Sequence, residues 1–101
     1  MNNKEISIPQ EKIRDFCRRW QVVEFALFGS VLREDFRQDS DIDVLVTFSP
    51  NAHHSLFDLA RMEEELGGIF GRKVDLVEKS ALRNPFRRHA ILKSLEVVYA
   101  A

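Results

Sequence analysis

At 101 residues the chain is the size of one small domain, and residues 1–101 read as a single unit. With 45% hydrophobic and 31% charged residues it is a soluble folded globule, not a disordered tail. Fifteen Lys and Arg against sixteen Asp and Glu give a net charge of −1, so no strong nucleic-acid binding is expected.

Pro9 suits the first turn of a helix, where its missing N–H has no intrahelical partner. Ile13, Phe16, Cys17 and Trp20 follow at helical spacing as one apolar stripe. Val22 to Phe28 is β-branched and aromatic, the composition of a buried strand. Gly29-Ser30 breaks it, with Ser30 as N-cap of a helical turn through Val31, Leu32 and Arg33. Glu34 to Asp39 is polar and reads as a loop. Ile42, Val44 and Val46 then alternate with Asp41, Asp43 and Leu45, the period of a second strand.

Ser49-Pro50-Asn51 ends that strand. Ser55 opens a helix from Leu56 to about Leu66, with Asp58 three residues on in an approximate capping box. Gly67-Gly68 and Gly71 are expected to close it. Lys73 to Val77 reads as a third strand, and Asn84-Pro85 starts a last helix to about Leu95. Val97-Val98-Tyr99 adds a short edge strand. This order implies an α/β layer with helices on a small sheet.

No apolar run approaches the ~20 residues of a membrane helix. The start, Met1-Asn2-Asn3-Lys4-Glu5, lacks the apolar stretch of a signal peptide. The single cysteine, Cys17, forms no internal disulfide, and a reducing cytoplasm is the expected compartment.

The chemistry lies in Gly29-Ser30 followed, nine residues on, by Ser40-Asp41-Ile42-Asp43. Residues i and i+2 of a strand share a face, so Asp41 and Asp43 project together, opposite Ile42, Val44 and Val46. Two carboxylates so close repel unless a cation sits between them, and hard oxygen ligands suit Mg²⁺. Asp75, between Val74 and Leu76, repeats the pattern on the third strand. If the strands are neighbours, the three carboxylates form the inventory of a two-metal site, with ions ~3.5–4 Å apart. Asp75 could also take the proton of an incoming hydroxyl. Gly29 lets backbone approach a ligand closely, Ser30 can bond a phosphate oxygen, and Arg33 could meet the outer phosphates of a nucleoside triphosphate.

Phe28-Gly29-Ser30-Val31-Leu32-Arg33, together with Ser40-Asp41-Ile42-Asp43-Val44-Leu45-Val46, closely resembles the minimal nucleotidyltransferases of the DNA polymerase β superfamily. These are small prokaryotic proteins often paired with a HEPN-domain toxin. The resemblance covers essentially the whole chain, and Lys73-Val74-Asp75-Leu76-Val77 falls where the family carries its third carboxylate. It implies a small mixed β-sheet with helices packed on one face. It also implies catalytic and metal-binding roles for Asp41, Asp43 and Asp75 with two Mg²⁺ ions, and nucleotide binding by Gly29, Ser30, Arg33 and Ser40. In such relatives the antitoxin moves AMP from ATP onto a tyrosine of the toxin. The resemblance thus implies ATP as substrate, a HEPN-domain toxin as acceptor and a hetero-oligomer of the two. One departure is Glu34, where many members carry glycine.

Two other readings stay open: an antitoxin that neutralises its partner by occlusion, and transfer to a small alcohol or aminoglycoside. So small a domain has no second lobe to grip a large acceptor, which favours a partner protein with its own binding surface. No residue recognisably reads a nucleobase. Among the remaining features, His53-His54 reads as a surface loop, and Cys17 as a buried thiol. Leu56, Leu59, Met62 and Leu66 lie on one side of the Leu56 to Leu66 helix, and Phe57, one residue off that stripe, is a candidate partner contact. Lys79, Arg83, Arg87, Arg88 and Lys93 occur with no acidic residue between 79 and 95, opposed by an acidic spot at Glu63-Glu64-Glu65. They are either solvated helix faces or a patch that steers a triphosphate or an acidic protein surface.

Overall fold

The computed structural model describes residues 8–29 and 41–101. In chain order the elements are α1 (Gln10–Trp20), β1 (Val22–Phe28), β2 (Ile42–Phe48), α2 (Leu56–Phe70), β3 (Val74–Glu78), α3 (Pro85–Lys93) and β4 (Glu96–Ala100). A short 3-10 turn, Lys79–Ala81, joins β3 to α3. The expected turn at Val31, Leu32 and Arg33 and the loop at Glu34 to Asp39 lie outside the described residues.

The strands form one sheet in the order β3-β2-β1-β4. β1 pairs antiparallel with both β2 and β4, whereas β2 and β3 are parallel, so the sheet is mixed. A parallel pair needs a crossover, and α2 supplies it. Side chains alternate across the pleat, and each face has its own apolar cluster. On one face Phe25, Leu27, Ile42, Val44, Val46 and Val74 meet Ile13, Phe16 and Cys17 of α1 and Met62 and Leu66 of α2. Each such side chain contributes about 1.5–3 kcal/mol on burial. On the other face Phe28 and Leu45 meet Leu82 and Ile91, with Val77, Leu92 and Leu95 at the margin. The expected helical layer is therefore α1 and α2, and α3 is added on the opposite face. Phe28 and Leu45 offer apolar contacts there, out of phase with their neighbours Leu27, Val44 and Val46.

Pro9 sits at the cap of α1, one residue ahead of the expected first turn, and its carbonyl accepts the Ile13 N–H at 3.0 Å. α1 ends on Gln21 at φ 58°, a left-handed conformation for a residue other than glycine. The capping box of α2 forms as expected: the Asp58 N–H donates to Ser55 Oγ and the Ser55 N–H to Asp58 Oδ2. α2 does not stop at Leu66 but runs through Gly67 and Gly68 to Phe70. A helical glycine costs about 1 kcal/mol. That cost is offset where Ile69 and Phe70 pack against the core. Gly71, at φ 74°, makes the actual cap, donating its N–H to the Gly67 carbonyl at 2.8 Å.

Candidate active site

Asp43 is the second residue of β2 and pairs in register with Phe28 on one side and Asp75 on the other. Cross-strand partners share a face, so Asp43 and Asp75 stand abreast on neighbouring strands, about 4.8 Å apart at the backbone. Both alternate onto the face that carries Leu45 and Val77, where Leu82 and α3 close the far end. Asp41 lies just ahead of β2, two residues before Asp43, and is exposed, as is Asp75. The Ile42 N–H donates to the Lys73 carbonyl at 3.0 Å and fixes the two strands together at this end.

Gly29 follows β1 directly and bears on the same spot. Its φ is 75°, and a Cβ built on it would stand 2.3 Å from Oδ2 of Asp43. Both the conformation and the close approach require glycine. The carboxylate therefore lies against bare backbone at the break in β1, where the sequence anticipated a close approach to phosphates. Ser30, Arg33 and Ser40, the other nucleotide-binding candidates, lie outside the described residues.

The donor set, carboxylate oxygens on one face of a sheet, suits a hard divalent cation such as Mg²⁺. Among the described residues, no group of three or more His, Cys, Asp or Glu side chains is gathered closely enough to hold a metal ion. What the backbone fixes is the adjacency of Asp43 with Asp75 and of Asp41 with Asp43. Side-chain torsions govern the remaining approach.

Two supports for this arrangement had no distinct signal in the sequence. Glu63 of α2 accepts the backbone N–H of Leu76 at 2.8 Å, which ties the crossover helix to β3 one residue from Asp75. Glu65 accepts the indole N–H of Trp20 at 3.0 Å and pairs with Arg19, which joins α2 to the end of α1. Arg19 holds the Glu65 carboxyl below the usual carboxylate range. The acidic run is therefore not one spot. Successive helical residues point about 100° apart, and each of these two finds its own partner.

His54 likewise departs from a plain surface loop. Its ring lies against Trp20 and Phe48, with centroids at 5.7 and 4.7 Å, and Nε2 is 2.8 Å from the Trp20 carbonyl oxygen. His53 is exposed. Cys17 is fully buried, and burial pushes its thiol up to about 12, the state of an inert core residue. Phe57 is 83% exposed, but so is Leu56 at 82%, although Leu56 was expected on the buried stripe. The first turn of α2 stands clear of the core, which begins to take up the helix at Leu59 and Met62. No described helix is long and apolar enough to cross a membrane.

Residues 10–98 match the nucleotidyltransferase domain family. Protein adenylyltransferase MntA of Thermococcus cleftensis is 37% identical over 86 residues, covering 85% of this chain and 82% of the relative. A Methanocaldococcus jannaschii protein, also carrying a protein adenylyltransferase name, is 36% identical over 92 residues, covering 91% of this chain and 90% of its own length. A solved minimal nucleotidyltransferase superposes with a TM-score of 0.69 at 36% identity over 85% of each chain. A toxin–antitoxin crystal structure with AMP-PNP superposes with a TM-score of 0.75 over 93% of this chain and 75% of the other, at 18% identity, a likeness of fold.

Proposed function

Because the chain belongs to the nucleotidyltransferase domain family and is of its minimal type, we propose that it moves AMP from ATP onto a tyrosine hydroxyl of a partner HEPN-domain toxin and so acts as that toxin's antitoxin. The observation that carries this reading is the pair Asp43 and Asp75, abreast on parallel strands with Gly29 packed against Asp43. The protein adenylyltransferase name of the Thermococcus relative supports AMP as the group transferred. The fold shared with a toxin–antitoxin structure crystallised with AMP-PNP agrees with a toxin as partner.

In this reading Asp41 and Asp43 hold Mg²⁺ and Asp75 completes the set. The bound cation would offset phosphate charge as the acceptor oxygen displaces pyrophosphate from the α-phosphorus of ATP. Asp75 takes the acceptor proton, and Gly29, Ser30, Arg33 and Ser40 cradle the phosphates. The protein works in the cytoplasm, in a hetero-oligomer with the toxin.

The test incubates the chain with Mg²⁺, ATP labelled at the α-phosphate, and the purified HEPN toxin. Label on the toxin that vanishes with the Asp41→Asn Asp43→Asn double variant supports the reading. Tight binding without label, and protection of cells that persists in the double variant, would overturn it in favour of occlusion. Labelled small alcohol without toxin would overturn the choice of acceptor.

A further inference from the structure

Resting on that reading, we propose that the outer side of α3, centred on Phe86 with Arg83 and Arg87, is the docking surface for an acidic segment of the acceptor protein. Phe86 is 85% exposed in the first turn of α3, much as Phe57 is in the first turn of α2, but of the two only Phe86 has an arginine close by in the sequence on both sides. Arg83 and Arg87 beside it are also exposed, and neither makes an ion pair among the described residues. A shallow groove runs on from this point along Pro85, Arg88, His89, Leu92 and Lys93, the i, i+3, i+4, i+7 line of one helix side. No acidic residue occurs between 79 and 95, so the whole strip is cationic.

The strip is also aimed. Residues 79–84 leave the C-terminal end of β3, and α3 then returns until Ile91 packs with Phe28, the cross-strand partner of Asp43. α3 therefore runs antiparallel to β3 on the face that carries Asp43 and Asp75. Its nine residues span about 14 Å at 1.5 Å per residue. A segment anchored at Phe86 and laid along the groove is led toward the two aspartates. Charge complementarity makes that segment acidic, and an exposed ring flanked by guanidinium groups is the composition of an interface anchor. A polynucleotide is disfavoured, because a single ring offers no platform for successive bases and the chain carries a net charge of −1.

The test measures the dissociation constant of the full-length chain for the purified HEPN toxin, alongside the rate of AMP transfer to it. Phe86→Asp and the Arg83→Glu Arg87→Glu pair should each weaken binding by roughly tenfold or more. They should also flatten its salt dependence. Phe86→Ala should act in the same direction, and thermal melting checks that each variant folds. Arg14→Glu, the same charge reversal on exposed α1, should leave binding within about twofold. Wild-type binding with unaltered binding by the α3 variants would overturn the docking surface while leaving the proposed reaction intact. Weakened binding in a system where the wild type transfers no AMP would support the surface and overturn the reaction instead. Loss of affinity for a single-stranded RNA oligonucleotide, with toxin affinity unchanged, would also overturn the surface.

Discussion

The carboxylate of Asp43 occupies the space that a side chain on Gly29 would need: a Cβ there would stand 2.3 Å from Oδ2. Gly29→Ala must therefore move the carboxylate, and it also pays for φ 75°. Transfer should fall by about 100-fold or more, with only ~1–2 kcal/mol lost in stability. Parallel rate and melting measurements separate the two effects. Equal rates in mutant and wild type would show that the close contact does not matter.

Asp43 and Asp75 are two like charges abreast on adjacent strands. Cross-strand like charges destabilise, so Asp75→Asn should leave stability unchanged or raise it by up to about 1 kcal/mol. The same change removes the proposed proton acceptor, for which a loss of about 10²–10⁴ in rate is expected. A rate assay with a denaturant titration tests both signs. Loss of stability with retained activity would make Asp75 structural.

Gly68 lies inside α2, and a Cβ there would meet nothing within 4 Å. Gly68→Ala should stabilise the protein by ~0.5–1 kcal/mol, raising Tm by a few degrees in a domain of this size. No effect would mean that α2 frays before this position.

The Glu65 carboxyl is held below its ordinary range, first by its hydrogen bond from Arg19 and next by that from Trp20. A depressed carboxylate contributes stability above its unfolded value, near ~4.3, and loses it as pH falls through the folded one. Resistance to urea should therefore fall below about pH 4.5, and Glu65→Gln should flatten that dependence. The variant should cost about 1 kcal/mol at pH 7.

The parts of this fold that were legible in the sequence are those set by local chemistry. Ser55 with Asp58, Asn84 before Pro85, and the alternation across Ile42, Val44 and Val46 all produced the expected caps and strand. The break at Gly29 and the placement of Asp43 opposite Ile42, Val44 and Val46 were legible for the same reason, whereas Asp41 lies just ahead of the strand. What depends on distant partners was not. Gly67 and Gly68 look like a helix end until Ile69 and Phe70 find the core. Glu63 and Glu65 look like solvent-facing charge until Leu76, Arg19 and Trp20 are brought to them. His54 sits in a loop by its neighbours, but Trp20 lies thirty-four positions away in the chain and takes up its ring. The side of the sheet that α3 chooses follows from Leu45 and Phe28, which alternation identifies only once the strand order is known.

The parallel pairing of β2 with β3 also sets a timetable. Asp43 and Asp75 are brought abreast only after the whole of α2 has been threaded between them, so the pair is a late acquisition of the folding chain. No truncated product ending before β3 can possess it. Any excursion that lifts α2, releasing Glu63 from Leu76, slackens the register that aligns the acids. Under mild denaturant, catalytic competence should thus disappear while most helical signal persists, so activity is the more sensitive gauge of whether the crossover is seated.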